Sequence, residues 1–301
     1  MQIYLLGVVL AVLAGITNFT GQILQKKAIN DVSPENRGQL MKYLVKSPVW
    51  VTGLFLVIVV NVILIALAQS FIGAALIPGL TASGFIVLGI GSVKILGEKL
   101  RREEVLAICL LVLAIILISF SQLSIEGDLL RFKDDFFVKR IVAVSLIFLA
   151  LWLGLFYRGK KRENAKALPM ALGAGFPFII SNIWVQPLLI SMGAIFANNF
   201  DSGVPVILVF TVATIIVIFS NLFGIIHFQH AMAESNASIV IPIQQIPQQL
   251  SPIVIYFFIY QLTVPGTSSY IYLFSGIVLV IFAGFILSRR QSELEAVTKV
   301  D

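Results

Sequence analysis

The sequence predicts an all-α polytopic membrane protein, an inverted-repeat transporter bundle of nine transmembrane helices, with eight to ten admissible. Three observations carry this. Charge is scarce, the charge-free runs are long, and amides and prolines recur in the same order in both halves. Of 301 residues, 58% are hydrophobic and 12% charged, with a mean hydropathy of +0.99. A soluble domain carries roughly a quarter charged residues. Half that content cannot coat a water-facing surface, so lipid must solvate much of the chain. The net charge of +6 would point to nucleic acid in a soluble protein. Here it reads as loop cations gathered on the cytoplasmic side. A lone cysteine, Cys109, excludes an intrachain disulfide.

The helices follow in order from the runs. About 20 apolar residues cross the hydrocarbon core. Residues 3–25 carry no charge and give helix one. Their start resembles a signal-peptide core, but no positive residue precedes it and no clear cleavage site follows, so it reads as a retained helix. The 45 residues 49–93 hold helices two and three around a turn near Gln69-Ser70. Residues 105–125 give helix four and 141–157 a short helix five. Helix six lies in 167–200 and helix seven in 202–233, entered at Pro205. The 54 residues 235–288 hold helices eight and nine around Val264-Pro265-Gly266. Continuous apolarity argues against barrel strands, which alternate, and backbone amides in lipid must be satisfied within each segment. Residues 126–137 mix charge with apolar side chains, as an interfacial amphipathic segment or a plain loop would.

Seventeen Lys and Arg fall in one set of connections and four (Arg131, Lys133, Lys139, Arg140) in the other. That split predicts a cell-membrane protein with its N-terminus outside and C-terminus cytoplasmic, which requires an odd number of helices.

The repeat is visible in polar residues. Asn18 and Gln22 in helix one match Asn182 and Gln186 in helix six, each pair four apart. Asn61 and Gln69 match Asn221 and Gln229, each eight apart, and Ile77-Pro78 matches Ile241-Pro242. The expected organisation is a first repeat at 1–125, a loop, linker helix five and basic loop at 126–166, a second repeat at 167–288, and a tail at 289–301. Helices one and six enter from opposite sides, and inverted repeats with broken helices build many secondary transporters.

Pro78, then Gly97-Glu98-Lys99-Leu100, then an apolar helix resembles the first half of drug/metabolite transporter superfamily members. Gln25-Lys26-Lys27 and Asn236 through Ile243 resemble its NIPA-type magnesium transporter branch. The resemblance covers nearly the whole chain and implies transport of a small solute or cation, magnesium included. Departures from the pattern are Gln261, near where a Glu would match Glu98, and Gln244-Gln245, where that branch leads one to expect aromatic residues.

The polar cargo of the spans is amide: Asn18, Gln22, Asn61, Asn182, Gln186, Asn221, Gln244, Gln245, Gln248 and Gln249. An unpaired buried amide costs roughly 2–7 kcal/mol, so these side chains must pair across helices or line a wet pathway. In helix eight the glutamines make one polar face, with Pro247 and Pro252 expected to break the helix and free the carbonyls of Ile243 and Gln248. Pro78 and Pro242 are expected to act alike, Pro78 on the Ala74 carbonyl. Gly79, Gly84, Gly89 and Gly91 allow close helix approach. Lys94, Glu98 and Arg102 are spaced as an interfacial ion cluster. His227, His230 and Glu234 share one helical face as weak metal-ligand candidates or a pH-sensitive contact.

No nucleophile triad and no phosphate-cradling loop appears, so enzymatic activity, a cofactor and nucleotide-driven pumping are not expected. Expected partners are the bilayer and a small solute or cation; nucleic acid is not expected, and a homodimer is left open. Three readings follow: a NIPA-type cation transporter, a secondary transporter of a neutral or zwitterionic metabolite, and a membrane enzyme or scaffold.

Overall fold

A computed structural model describes residues 2–73, 76–123, 129–161, 167–198 and 204–297, and every regular element among them is helical. Helix α1 is Gln2–Asn30. A 3-10 turn and the short α2 (Leu40–Leu44) lead to α3, Pro48–Phe55, which passes through a π turn, Leu56–Val60, into α4, Asn61–Ile72. Then come α5 (Ile77–Thr81), α6 (Gly84–Lys94), α7 (Arg102–Phe120) and α8 (Asp135–Lys161). The rest is α9 (Ala167–Phe196), α10 (Val206–Glu234), α11 (Ala237–Val254, continued by a π turn Ile255–Ile259) and α12 (Thr267–Val297). Eight helical stretches are long and apolar enough to cross a membrane. Their outer faces carry large apolar side chains such as Ile63, Phe219 and Phe274. That is the exterior of a multi-pass membrane protein. The α11 stretch is long enough but too rich in glutamine and proline to join the eight.

Local rules explain several boundaries. Ser47 accepts from the Trp50 backbone N–H while Pro48 occupies the first turn of α3, where a missing N–H costs nothing. α4 ends at Gly73, whose φ of +76° suits glycine. The turn expected near Gln69-Ser70 is not there: both residues lie within α4, which runs on to Ile72. Helix three is not one piece: a turn at Ala82-Ser83 separates α5 from α6. Helix five is longer than its charge-free core, because Lys and Arg stems lie along a helix while their heads stay in water. Of the expected amphipathic segment 126–137, residues 126–128 lie outside the described residues; Leu129–Lys133 form a 3-10 turn, with Arg131 over the Tyr260 ring at 5.2 Å, and the segment's end belongs to α8.

The two halves are built alike. α1 packs on α3–α4 and on α6; α9 packs on α10 and α11; α7 and α12 pack on each other. Each half ends its third long helical stretch with the same turn. Leu96 N–H bonds Gly91 O at 3.2 Å and Glu98 N–H bonds Ser92 O at 2.9 Å. Tyr260 N–H bonds Ile255 O at 3.0 Å and Leu262 N–H bonds Tyr256 O at 3.1 Å. Between these bonds the chain turns left-handed, at Gly97 (φ +70°) and Gln261 (φ +51°). Every one of these equivalents lies 164 positions apart, as do Asn18 and Asn182, Gln22 and Gln186, and Pro78 and Pro242.

Buried side chains of both halves, among them Ile23, Leu88, Leu111, Met232, Ile241 and Leu287, form one apolar core. α1 crosses α3 and α6 with almost no intervening side chain. A Cβ at Gly15 would strike the Thr81 backbone, and one at Gly84 the Gly15 backbone; Gly21 and Gly53 are mutually close in the same way. Of the helix-three glycines, Gly84 serves such approach, Gly91 makes room for the Ile23 side chain, and Gly89 faces open space.

Candidate functional site

A cavity of about 630 Å³ lies between the two halves. Its lining comes from α1, α9 and α11, which we call the floor, and from α3–α4 and α10, which we call the sides. The helix periodicity of α1 puts Asn18, Gln22 and Gln25 on one stripe, and α11 presents Gln244, Gln245 and Gln248 opposite. Asn61 enters from α4, Asn182 from α9 and Asn221 from α10. Eight of the ten span amides thus line one space; Gln186 and Gln249 stand outside it. Gln249 lines a smaller adjoining cavity of about 90 Å³ with Asn18, Asn61, Gln245 and Pro78. Among the described residues, none that lines the larger cavity carries a charge.

The amides differ in what they have left to offer. Asn221 donates to Ser181 Oγ at 2.6 Å and to Val217 O at 2.8 Å. Gln22 donates to Asn18 Oδ1 at 3.3 Å, but its own Oε1 is buried without a protein partner among the described residues. Asn61 Oδ1 is in the same condition. A buried amide oxygen without a donor costs about 1–3 kcal/mol. Both oxygens belong to residues that line the cavity, though each is itself closed off from it, so the hydrogen-bonding capacity left over here lies in the cavity wall.

At one end of the cavity a closed chain seals the halves: Trp50 Nε1 donates to Gln229 Oε1 at 3.1 Å, and Gln229 Nε2 donates to Gln25 Oε1. The repeat pattern singles out Gln229 and the family resemblance Gln25, but their meeting across 204 positions has no sequence signature.

The prolines do not break α11. Pro242, Pro247 and Pro252 all lie inside a continuous helix. The Gln248 carbonyl, deprived of its usual donor by Pro252, accepts from Ser251 Oγ at 2.8 Å instead. Pro78 sits in the first turn of α5, a position without such a cost, and Ala74 lies outside the described residues.

Charged side chains are engaged elsewhere. Lys94, Glu98 and Arg102 form no common helical face, because the left-handed turn at Gly97 intervenes. Glu98 reaches the other half and accepts from the backbone N–H groups of Ala237 (2.6 Å) and Ser238 (3.0 Å), the N-terminus of α11. A carboxylate there satisfies orphan donors and complements the helix dipole. Lys26 donates to the carbonyls of Met232 and Ser235 (2.8 Å for the second), at the opposite pole, the C-terminus of α10. Glu104 is fully buried, paired with Arg290 at 2.9 Å, and accepts from Ser238 Oγ at 3.3 Å.

Among the described residues no group of three His, Cys, Asp or Glu is placed to hold a metal ion, and His227, His230 and Glu234 are not brought together as one. His227 is buried and its Nδ1 accepts from Trp152 Nε1 at 2.9 Å, which places the proton of the neutral ring on Nε2.

Comparison of the chain with models of protein families, with curated proteins and with solved structures gives no match.

Proposed function

We propose that the protein is a membrane transporter that moves a small, hydrogen-bonding solute without net charge, neutral or zwitterionic, through the amide cavity between its halves. One observation carries this: amides from α1, α4, α9, α10 and α11 converge on one cavity, and two of their oxygens lack protein partners. Amides both donate and accept, which suits a neutral or zwitterionic solute. With the five long apolar stretches before α9 all counted as spans, α1 and α9 enter from opposite sides, so the two similar halves are inverted and alternating access between them is the natural mechanism.

This favours the metabolite reading over magnesium. Magnesium takes carboxylates and retains several waters. The cavity lining has no carboxylate, Glu98 is committed to capping α11, and Glu104 is committed to Arg290. The resemblance to drug/metabolite transporters agrees with either cargo. The enzyme reading lacks a concentrated set of titratable groups in this cavity.

The test is flux into proteoliposomes with a panel of neutral and zwitterionic solutes, and separately with magnesium. Uptake of at least one uncharged solute is expected, and Gln245→Leu with Gln248→Leu should lower its apparent affinity by roughly 30-fold, two bonds at about 1 kcal/mol each. Magnesium flux indifferent to that double variant, with no solute flux, would refute the proposal.

A further inference from the structure

The amide cavity is not closed on all sides. Its two side walls, α3–α4 and α10, are not packed along one another, and the slot between them is edged by Ile58, Val62 and Ile218. These three are 44%, 55% and 58% exposed while also lining the cavity. Their depth is the decisive point. The α3–α4 stretch Pro48–Ile72 is 25 residues long, so Val60 is its middle residue; Ile58 and Val62 lie two positions to either side. The α10 stretch Val206–Glu234 is 29 residues long, so Ser220 is its middle, two positions from Ile218. At 1.5 Å per residue, all three edges lie within about 3 Å of the helix midpoints. A gap at that depth between two spanning helices opens on hydrocarbon, not on water. The π turn Leu56–Val60 falls at this edge, and such turns frequently accompany functional sites.

We infer that the slot is a lateral portal, and that the molecule taken by this site is an amphiphile: its uncharged or zwitterionic head bonds the amides while its apolar chain passes between Ile58, Val62 and Ile218 into the bilayer. This rests on the transport reading of the amide cavity and narrows it to a substrate class. A head alone would leave the apolar slot unfilled. A chain alone would set hydrocarbon against the amides of Asn18, Asn182, Gln245 and Gln248. An amphiphile satisfies both, with its chain remaining in lipid throughout, so the slot and the cavity are matched to the two ends of one molecule.

The full chain in phosphocholine nanodiscs is irradiated with a single-chain phosphoethanolamine lipid, whose ammonium donates hydrogen bonds, carrying a diazirine next to its head, and the labelled residues are mapped by mass spectrometry. Label is expected on the floor, at Asn182 or Gln245, suppressed by excess unlabelled single-chain phosphoethanolamine lipid and not by glycerophosphoethanolamine. Label confined to outward residues such as Ile63 and Ile215 overturns the inference, as does equal suppression by glycerophosphoethanolamine. Ile218→Trp, at an exposed edge, should abolish floor labelling, while Phe274→Trp on the outer face of α12 should leave it intact. Retained floor labelling in Ile218→Trp also overturns the portal. Flux assays on the same preparations separate the two ideas. Uptake of a water-soluble solute with no floor labelling leaves transport standing and removes the amphiphile. Floor labelling with no flux of any cargo supports the amphiphile and removes transport.

Discussion

Two polar regions join the halves of this molecule, and they are satisfied to different degrees. In the charged region Lys26, Glu98, Glu104 and Arg290 each hold partners in the opposite half, and every contact is to a helix end or an opposite charge. In the amide region the side chains converge but bond incompletely, leaving the oxygens of Gln22 and Asn61 over. The difference separates structure from function on chemical grounds. A charge buried in a low-dielectric bundle is tolerated only when paired, so its pairing is structural by necessity. An amide is neutral, and its unspent hydrogen-bonding capacity is affordable enough to be held in reserve for a ligand.

That contrast can be broken by substitution. The largest effect belongs to Glu104→Ala, which strands Arg290 in the core; a loss of about 3–5 kcal/mol is expected in unfolding of the detergent-solubilised protein. Adding Arg290→Met should restore much of it, and a single variant as stable as the parent would contradict a structural role for the pair. Gly15→Leu comes next, because its side chain meets backbone and not a side chain that can turn away. Overpacking of this kind costs about 1–3 kcal/mol, read as a lowered unfolding midpoint. Glu98→Gln keeps the shape but removes the charge at the α11 N-terminus, for a loss of about 0.5–2 kcal/mol. Smallest is Gln245→Leu with Gln248→Leu, whose effect on stability should stay within about 1 kcal/mol of zero even as function falls. A large destabilisation there would move the amides into the structural class and erase the distinction between the regions.

The sequence shows the helices well because long charge-free runs permit little else in lipid. It misplaces ends where charge and helix overlap, as at Asp135–Lys161, and where one glycine sets the stop, as at Gly73. The amides were legible as a set through the repeat, which pairs Asn18 with Asn182 and Asn61 with Asn221. Gln186 obeys the same spacing yet lies outside the cavity, since a repeat fixes the helix position and not what neighbours it. The proline reading failed at Gln248 because a serine three residues on supplied the missing donor. The bonds of Lys26 and Glu98 left no trace in the sequence: their acceptors and donors are backbone groups 206 and 139 positions away, and any residue type provides those.

The glycine contacts along α1 carry one more consequence. Backbone touches backbone where Gly15 meets the α5–α6 junction and where Gly21 meets Gly53, so α1 cannot slide or roll against those helices without collision. Helices α1, α3–α4, α5 and α6 are therefore locked into one block. That block is tied to the second half by the bonds of Gln25, Lys26 and Glu98, while α7 is bound instead to α12, by packing and by the buried Glu104–Arg290 pair.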